Sequence, residues 1–179
     1  MARQARIQFE NAVYHVMARG DRRERIVEGD RDSMMFIETF AEACAKTGWL
    51  VHAWVLMSNH YHLVLRTPQA NLVAGMRWLQ NTYTRRFNLG HQLWGHLFGG
   101  RYKAVLVESE EFGCGDYLSN LIDYVHLNPI RAGIVDGRTI PSLIDYPWSS
   151  LTKGYALSPR KRPPGSANSP GRGWLTCPS

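Results

Sequence analysis

The order of its predicted elements places this chain in the α+β class. Four segments alternate apolar and polar residues with a period of two, which is typical of strands with one buried face. Three others repeat apolar residues at spacings of three and four, as amphipathic helices do. Along the 179 residues the order is strand, helix, strand, strand, helix, strand, helix. Since 44% of the residues are hydrophobic and 20% are charged, the chain can bury the core of one domain.

The predicted strands are bounded by breaks in the apolar pattern. They comprise residues 12–19, 49–57, 60–67 and 101–107. Gly20 ends the first strand, and the short Met57-Ser58-Asn59 break separates the second from the third. Because side chains alternate along a strand, His60 and His62 share one face of the third strand and Tyr61 lies on the other.

The predicted helices carry start and stop signals. They run from Asp30 or Asp32 to about Lys46, from Asn71 to about Asn88, and from Tyr117 to about Leu127. Asp30 or Asp32 is expected to cap the first helix, and Gly48 to stop it. Asp116 is expected to cap the last helix. Pro129 stops that helix, because the residue before a proline avoids the helical region.

The charge balance favours a polyanionic partner. The formal net charge is +6, which makes nucleic acid the first candidate. No apolar run approaches the length of a membrane span, and the N-terminal residues show no signal-peptide pattern. The three cysteines are far apart and form neither a zinc spacing nor a disulfide framework, so a reduced, cytoplasmic location is expected.

The C-terminal residues differ in composition from the rest of the chain. Residues 158–179 are rich in Pro, Gly, Ser and Arg, and we expect them to form a disordered basic tail. Residues 1–157 are then the single folded domain.

The second predicted helix interleaves basic and aromatic residues. Arg77, Arg85 and Arg86 alternate with aromatic residues that include Trp78 and Phe87. A charged helix face is usually only solvated, but arginines beside aromatic rings also bind phosphates and stack on bases. We therefore expect this helix to contact nucleic acid, with a solvated face as the alternative.

His60 and His62 are the first candidates for a metal site. Two imidazoles two residues apart on one strand face can converge on a single divalent ion. A lone His-x-His pair more often combines a core histidine with a surface one, so a third ligand and a reactive group are needed. His15 shares a strand face with Val13 and Met17, and is expected to be a packed or hydrogen-bonded histidine rather than a ligand.

The last predicted helix offers both missing groups. Asn120, Tyr124 and Asn128 are spaced four residues apart and therefore align on one helix face. This alignment brings a phenol and an amide together at one helix end. On the residues alone, Tyr124 is more readily a hydrogen-bonded tyrosine at the edge of the core.

Taken together, these motifs resemble a known family. His60-Tyr61-His62 matches the His-hydrophobic-His signature of the HUH single-strand nucleases. The wider sequence resembles the REP-associated tyrosine transposases, a single-tyrosine branch of that superfamily, at residues 14–20, 54–65, 100–107 and 124–135. The resemblance covers roughly residues 5–150. Ser58 stands where that family commonly has proline, and Gly99 where it commonly has glutamine.

The resemblance implies both a fold and a reaction. The fold is a ferredoxin-like antiparallel sheet with helices packed on one face. The reaction is metal-assisted transesterification of single-stranded hairpin DNA, in which Tyr124 attacks phosphorus and forms a 5′-phosphotyrosine link. By the same resemblance, His60 and His62 hold Mg²⁺ or Mn²⁺, and Asn128 is the third ligand.

Several points stay open beside this interpretation. Asp123 and Glu108 are alternative third ligands. The expected DNA contacts are Arg77, Arg85, Arg86, Lys103 and Arg131. The alternative functions are a non-catalytic hairpin DNA-binding protein derived from a transposase, and a phosphodiesterase that uses water. The choice between a monomer and a homodimer is also open.

Overall fold

A computed structural model describes residues 8–108 and 116–153 of the chain. Its four strands are β1 (Ala12–Arg19), β2 (Leu50–Leu56), β3 (His60–Thr67) and β4 (Lys103–Glu108). Its helices are α1 (Asp30–Thr47), α2 (Leu72–His91), α3 (Asp116–His126) and two short ones, α4 (Asn128–Arg131) and α5 (Ser150–Lys153). The predicted order of elements is confirmed, and β1 and β3 have the predicted bounds. The predicted tail at residues 158–179 lies outside the described residues.

The four strands form one antiparallel sheet in the order β2-β3-β1-β4. With α1 between β1 and β2, and α2 between β3 and β4, this is the ferredoxin-like arrangement. The pairing of β1 with β3 sets Arg19 opposite His60 and Met17 opposite His62. The predicted fold class is therefore confirmed.

α1 and α2 cover one face of the sheet. Tyr61, Leu63 and Leu65 of β3 point into this core, where they are fully buried together with Phe36 of α1 and Leu79 of α2. The alternation predicted for β3 is confirmed, because these three alternate residues enter one core. Both helices of the ferredoxin-like unit lie on one face, as predicted.

α3 covers the opposite face, and for this helix the prediction that the helices pack on one face is wrong. Leu121 and Val125 of α3 belong to a second core that includes Val13 of β1 and Val64 of β3. Val13 and Val64 are fully buried. Because the strands are apolar on this side as well, the face has to be covered, and α3 covers it. Tyr146, from the irregular segment before α5, packs into the same core, as its aromatic character predicts.

The ends of α1 agree only in part with the predicted signals. Gly29 precedes the first turn and no side chain caps it, so the expectation that Asp30 or Asp32 caps this helix is wrong. Asp32 lies inside the first turn, where its carboxylate accepts a hydrogen bond from the Glu28 amide at 2.9 Å. Gly48 ends the helix in the left-handed conformation at φ 73°, as predicted.

α2 is an amphipathic helix of 20 residues. Leu72, Met76 and Leu79 are buried, as their spacing predicts, while Arg77 and Arg85 are exposed. In the part of the chain that the structure describes, no helix has both the length and the apolar character to cross a membrane.

Candidate active site

The two histidines of β3 lie beside each other on the sheet face that α3 covers. Their ring centroids are 5.2 Å apart and the ring planes are nearly perpendicular, at 82°. His62 is buried, while His60 retains some solvent contact. The strand pattern therefore brings two imidazoles together as predicted, close enough to bind one ion.

Each histidine is held by a hydrogen bond at its Nδ1 atom. The Nδ1 atom of His60 lies 2.7 Å from the side-chain oxygen of Asn59, and that of His62 lies 2.9 Å from Nε2 of His15. An amide oxygen only accepts, so His60 carries its proton on Nδ1 and keeps the lone pair of Nε2. The prediction that His15 is a hydrogen-bonded histidine is correct, and its partner is a candidate ligand.

Burial keeps these imidazoles neutral. Burial, together with the nearby charge of Arg19, lowers the pKa of His60 to about 4. Burial, together with smaller contributions from His15, His60 and Arg19, also lowers the pKa of His62 to about 3. The pKa of His15 is lowered by burial as well. At neutral pH the pair therefore offers neutral lone pairs, which is the form that binds metal ions.

Tyr124 of α3 faces the histidines. Its ring centroid lies 5.9 Å from that of His62 and 6.1 Å from that of His15, edge to face in both cases. The tyrosine is 36% exposed, so its phenol is accessible to a substrate. The guanidinium carbon of Arg131 lies 4.6 Å from the centre of the same ring. The site therefore combines two neutral imidazoles, an accessible phenol and a cation.

Asn128 is the first residue of α4, two residues beyond the end of α3. Its side-chain nitrogen donates to the carbonyl oxygen of Tyr124 at 2.8 Å and to that of Val125 at 3.3 Å. These bonds orient the side chain and leave the amide oxygen as the atom that could coordinate a metal. Its predicted role as the third ligand stays a prediction.

The acidic alternative at Asp123 is not supported. Among the described residues, no three His, Cys, Asp or Glu side chains gather where they could hold a metal ion. Asp123 is exposed and does not join His60 and His62. The side chain of Glu108, the other alternative, is outside the described part of the chain.

A basic cavity of about 480 Å³ adjoins the histidines. His60 and His62 line it together with Arg19, Arg22, Arg23, Arg101 and Lys103, and with one carboxylate, that of Asp21. Lys103 was a predicted DNA contact, whereas the four arginines were not predicted. Two of them, Arg22 and Arg23, belong to the charged run after β1, which has the composition of an ordinary solvated turn.

Backbone hydrogen bonds fix the loops around this cavity. The Gly20 amide donates to the carbonyl oxygen of Asn59 at 2.9 Å, and the Gly99 amide donates to that of Arg19 at 3.0 Å. A Cβ atom on Gly20 would lie 2.1 Å from the backbone oxygen of Glu24, so this tight turn requires glycine. The arginines of the turn are therefore held beside the end of β3 that carries the histidines.

Comparison with known proteins gives the family. The family model described as "Transposase IS200 like" matches residues 8–126, well over half of the chain. The chain belongs to the IS200-like transposase family. The matched segment contains His60, His62 and Tyr124 of this transposase, while Asn128 and Arg131 lie just beyond it.

Two solved structures are similar to this IS200-like transposase. One is a REP-associated tyrosine transposase bound to a REP hairpin, with a TM-score of 0.64 and 16% identity over 86% of this chain and 84% of that one. At this identity the likeness shows a shared fold. The other, from Deinococcus radiodurans R1 and provisionally assigned as a transposase, has a TM-score of 0.47 and 18% identity over 69% of this chain and 95% of that one. No curated protein matches the chain.

The predicted DNA contacts of the transposase fall into two groups. Lys103 lines the basic cavity and Arg131 covers Tyr124. Arg77, Arg85 and Arg86 belong to α2, on the other side of the sheet from the histidines.

Arg86 joins the two helices of the ferredoxin-like unit, and its predicted DNA contact stays a prediction. Its guanidinium nitrogens lie 2.9 and 3.1 Å from the two carboxylate oxygens of Glu42, and one also donates to Thr39 at 2.7 Å. These contacts join α2 to α1. The guanidinium is therefore already paired with a carboxylate, a contact that the sequence pattern of arginines and aromatics did not predict.

Proposed function

We propose that this IS200-like transposase cleaves and rejoins single-stranded hairpin DNA through a covalent link to Tyr124. The observation that carries the proposal is the accessible Tyr124 ring 5.9 Å from the ring of His62. The two residues come from different elements, α3 and β3, and meet on one face of the sheet. A phenol beside two neutral imidazoles is the set of groups that a metal-assisted transesterification needs.

The chemical step keeps the energy of the phosphodiester bond in the covalent link to the protein. The phenol oxygen of Tyr124 attacks phosphorus and loses its proton to solvent, while the bond from phosphorus to the 3′ oxygen breaks. The departing oxygen takes up a proton and becomes a free 3′-hydroxyl, and the other fragment stays attached as a 5′-phosphotyrosine. Attack by a 3′-hydroxyl reverses the step and joins strands, so no nucleotide cofactor is needed.

His60 and His62 would hold Mg²⁺ or Mn²⁺ through their Nε2 atoms, with the amide oxygen of Asn128 as the third protein ligand. The hydrogen bond from His60 to Asn59 fits this role, because it leaves Nε2 of His60 without a proton. When bound, the ion would polarise the scissile phosphate. Two imidazoles and an amide form a neutral ligand set, so we expect weak metal binding without DNA. We also expect the reaction with Mn²⁺ to be at least as fast as with Mg²⁺.

The cations of the basic cavity are the proposed phosphate contacts. They surround the entrance to the histidines, and the chain carries a net charge of +6. The protein of known structure that shares this fold is bound to a REP hairpin, which supports a hairpin as the substrate here. Replacing Lys103 with Gln should weaken DNA binding and reduce the slope of log affinity against log salt by about 0.7 for a single strand. Lys46→Gln, an exposed lysine of α1 on the far side of the sheet that is not a predicted DNA contact, is the matched control and should change neither.

The deciding experiment is a denaturing gel. Hairpin oligonucleotides from the DNA that flanks the gene, labelled at either end, would be mixed with the protein and Mn²⁺ or EDTA. We expect a metal-dependent covalent protein–DNA band that carries only the 3′ label, because the protein stays on the 5′ phosphate of the downstream fragment. The band should be absent with Tyr124→Phe and with His60→Ala.

Two other outcomes would each support a different function. Cleavage without a covalent band would identify water as the nucleophile. Tight binding with neither product, over several hairpins and both metals, would leave a non-catalytic hairpin-binding protein.

A further inference from the structure

We propose that His15 is a positioning residue that fixes the proton of His62 on Nδ1, so that Nε2 of His62 can bind the metal ion. This inference rests on the proposed function, since it concerns the same metal site. His15 stands on β1, next to β3, and reaches His62 diagonally across the two strands, because Met17 and not His15 is the direct partner of His62. The contact is a hydrogen bond of 2.9 Å between Nε2 of His15 and Nδ1 of His62.

Both residues of this hydrogen bond are buried, so water does not replace either partner. His15 is 7% exposed and His62 is 6% exposed. The rings lie nearly parallel, with centroids 5.1 Å apart and planes at 24°. A buried polar atom that loses its partner costs free energy, so both nitrogens are held to each other.

Only one direction of this hydrogen bond is compatible with metal binding. A neutral imidazole carries a single proton, on one of its two nitrogens. If His15 donated, then Nδ1 of His62 would accept, and Nε2 of His62 would carry the proton and could not coordinate. If His62 donates, then its Nε2 lone pair is available and His15 is the acceptor.

His60, the neighbouring candidate ligand, is held at Nδ1 by a hydrogen bond whose direction is unambiguous. Asn59 accepts from Nδ1 of His60 through an amide oxygen that cannot donate. With His15 as acceptor for His62, both candidate ligands present Nε2 and both are oriented from Nδ1. Metal-binding histidines are generally fixed in this way by a partner on the second nitrogen.

The direct test reads the proton position. Two-bond ¹⁵N–¹H spectra of the ¹⁵N-histidine-labelled full chain in EDTA at neutral pH distinguish an imidazole protonated at Nδ1 from one protonated at Nε2. We expect His62 to be protonated at Nδ1 in the unmodified protein, and at Nε2 in His15→Phe, which keeps a ring but offers no acceptor. His62 protonated at Nε2 in the unmodified protein would overturn the inference.

Metal affinity provides the second readout. Mn²⁺ titration followed by electron paramagnetic resonance should show affinity weaker by about tenfold or more in His15→Phe. His15→Gln should restore affinity to within about threefold, because its amide oxygen can accept from Nδ1 of His62. Met17→Leu, on the same face of β1 without a hydrogen bond to His62, is the matched control and should match the unmodified protein. Thermal melting shows whether each variant is folded.

The outcomes separate this inference from the proposed function. If the covalent DNA band forms but His15→Phe binds Mn²⁺ as well as the unmodified protein does, the inference fails and the proposed function stands. If His15→Gln is as weak as His15→Phe although both are folded, His15 acts by packing and the inference also fails. If the unmodified protein binds no Mn²⁺ and forms no band, the proposed function fails and the inference fails with it.

Discussion

The guanidinium of Arg131 gives a quantitative test of the proposed nucleophile. A phenol with an ordinary pKa of about 10 is a poor nucleophile at neutral pH, and its oxygen must gain negative charge as it attacks phosphorus. Arg131 lies 4.6 Å from the centre of the Tyr124 ring, so it can stabilise that charge. Replacing Arg131 with Leu removes the cation and keeps an aliphatic side chain.

The distance sets the size of the effect. A unit charge at the guanidinium carbon and another at the ring centre, 4.6 Å apart, interact by about 0.9 kcal/mol at the dielectric of water and by about 3.6 kcal/mol at an effective dielectric of about 20. Tyr124 is 36% exposed and Arg131 is also exposed, so solvent screening keeps the contribution near the lower value. We expect a loss of about 1 to 2 kcal/mol in the transition state, which is about a 5- to 30-fold slower reaction.

The assay is the single-turnover rate of covalent band formation at saturating hairpin DNA and Mn²⁺. Arg131→Lys retains the charge and should react within about threefold of the unmodified protein. Fluorescence anisotropy with labelled hairpin measures the affinity separately, so that a slower reaction is not confused with weaker binding. Equal rates for Arg131→Leu and the unmodified protein would refute the reasoning. A Lys variant as slow as the Leu variant would also refute it, because the side chain would then act by packing or by geometry and not by charge.

Three further predictions concern the helices and the metal. Arg86→Leu should lower the free energy of unfolding by about 1 kcal/mol in urea titrations, because it loses the bidentate pair with Glu42, and should leave DNA affinity unchanged. Weaker DNA binding at unchanged stability would instead support the predicted DNA contact of Arg86. Gly75→Ala should lower the melting temperature, because the new Cβ atom would lie 2.2 Å from the Trp49 ring and overpacking of about 1–3 kcal/mol exceeds the helix-propensity gain of about 1 kcal/mol. EDTA should abolish the covalent band but not hairpin binding, and excess Mn²⁺ should restore it; a band that persists in EDTA would contradict a metal-assisted step.

The sequence predicted the histidine site because strand alternation is a local property. The period of two along β3 places Tyr61 and Leu63 in one core and His60 and His62 on the other face, and the structure agrees. The period of α3 likewise shows that it buries an apolar side. It does not show which face of the sheet that side meets, since the apolar residues of a helix fit either core. Val13 and Val64 carried a hint, because apolar residues on the histidine face suggest that this face is covered too, and both are buried.

The basic cavity was missed for a related reason. A run such as Asp21-Arg22-Arg23-Glu24-Arg25 has the composition of a solvated turn, and nothing within the run distinguishes such a turn from one that lines a cavity. What distinguishes them is long-range pairing: the Gly20 amide bonds to Asn59, and the Asp21 amide bonds to Leu97 at 3.0 Å. These contacts join segments far apart in the sequence, so the clustering of cations beside the histidines follows from the tertiary fold.

The role of His15 depends on strand register, which is still less visible in the sequence. Alternation assigns His15 to the same face as Met17, but it does not say which residue of β3 lies within reach. A slip of the β1–β3 pairing by one residue would turn one strand over, whereas a slip by two would keep His15 on its face but set it opposite a different residue of β3. The observed register, with Met17 opposite His62, is fixed by the apolar residues of both strands that have to fill two cores at once. The packing of residues that take no part in the proposed chemistry therefore decides which nitrogen of His62 is held, and so which nitrogen would be left for the proposed metal ion.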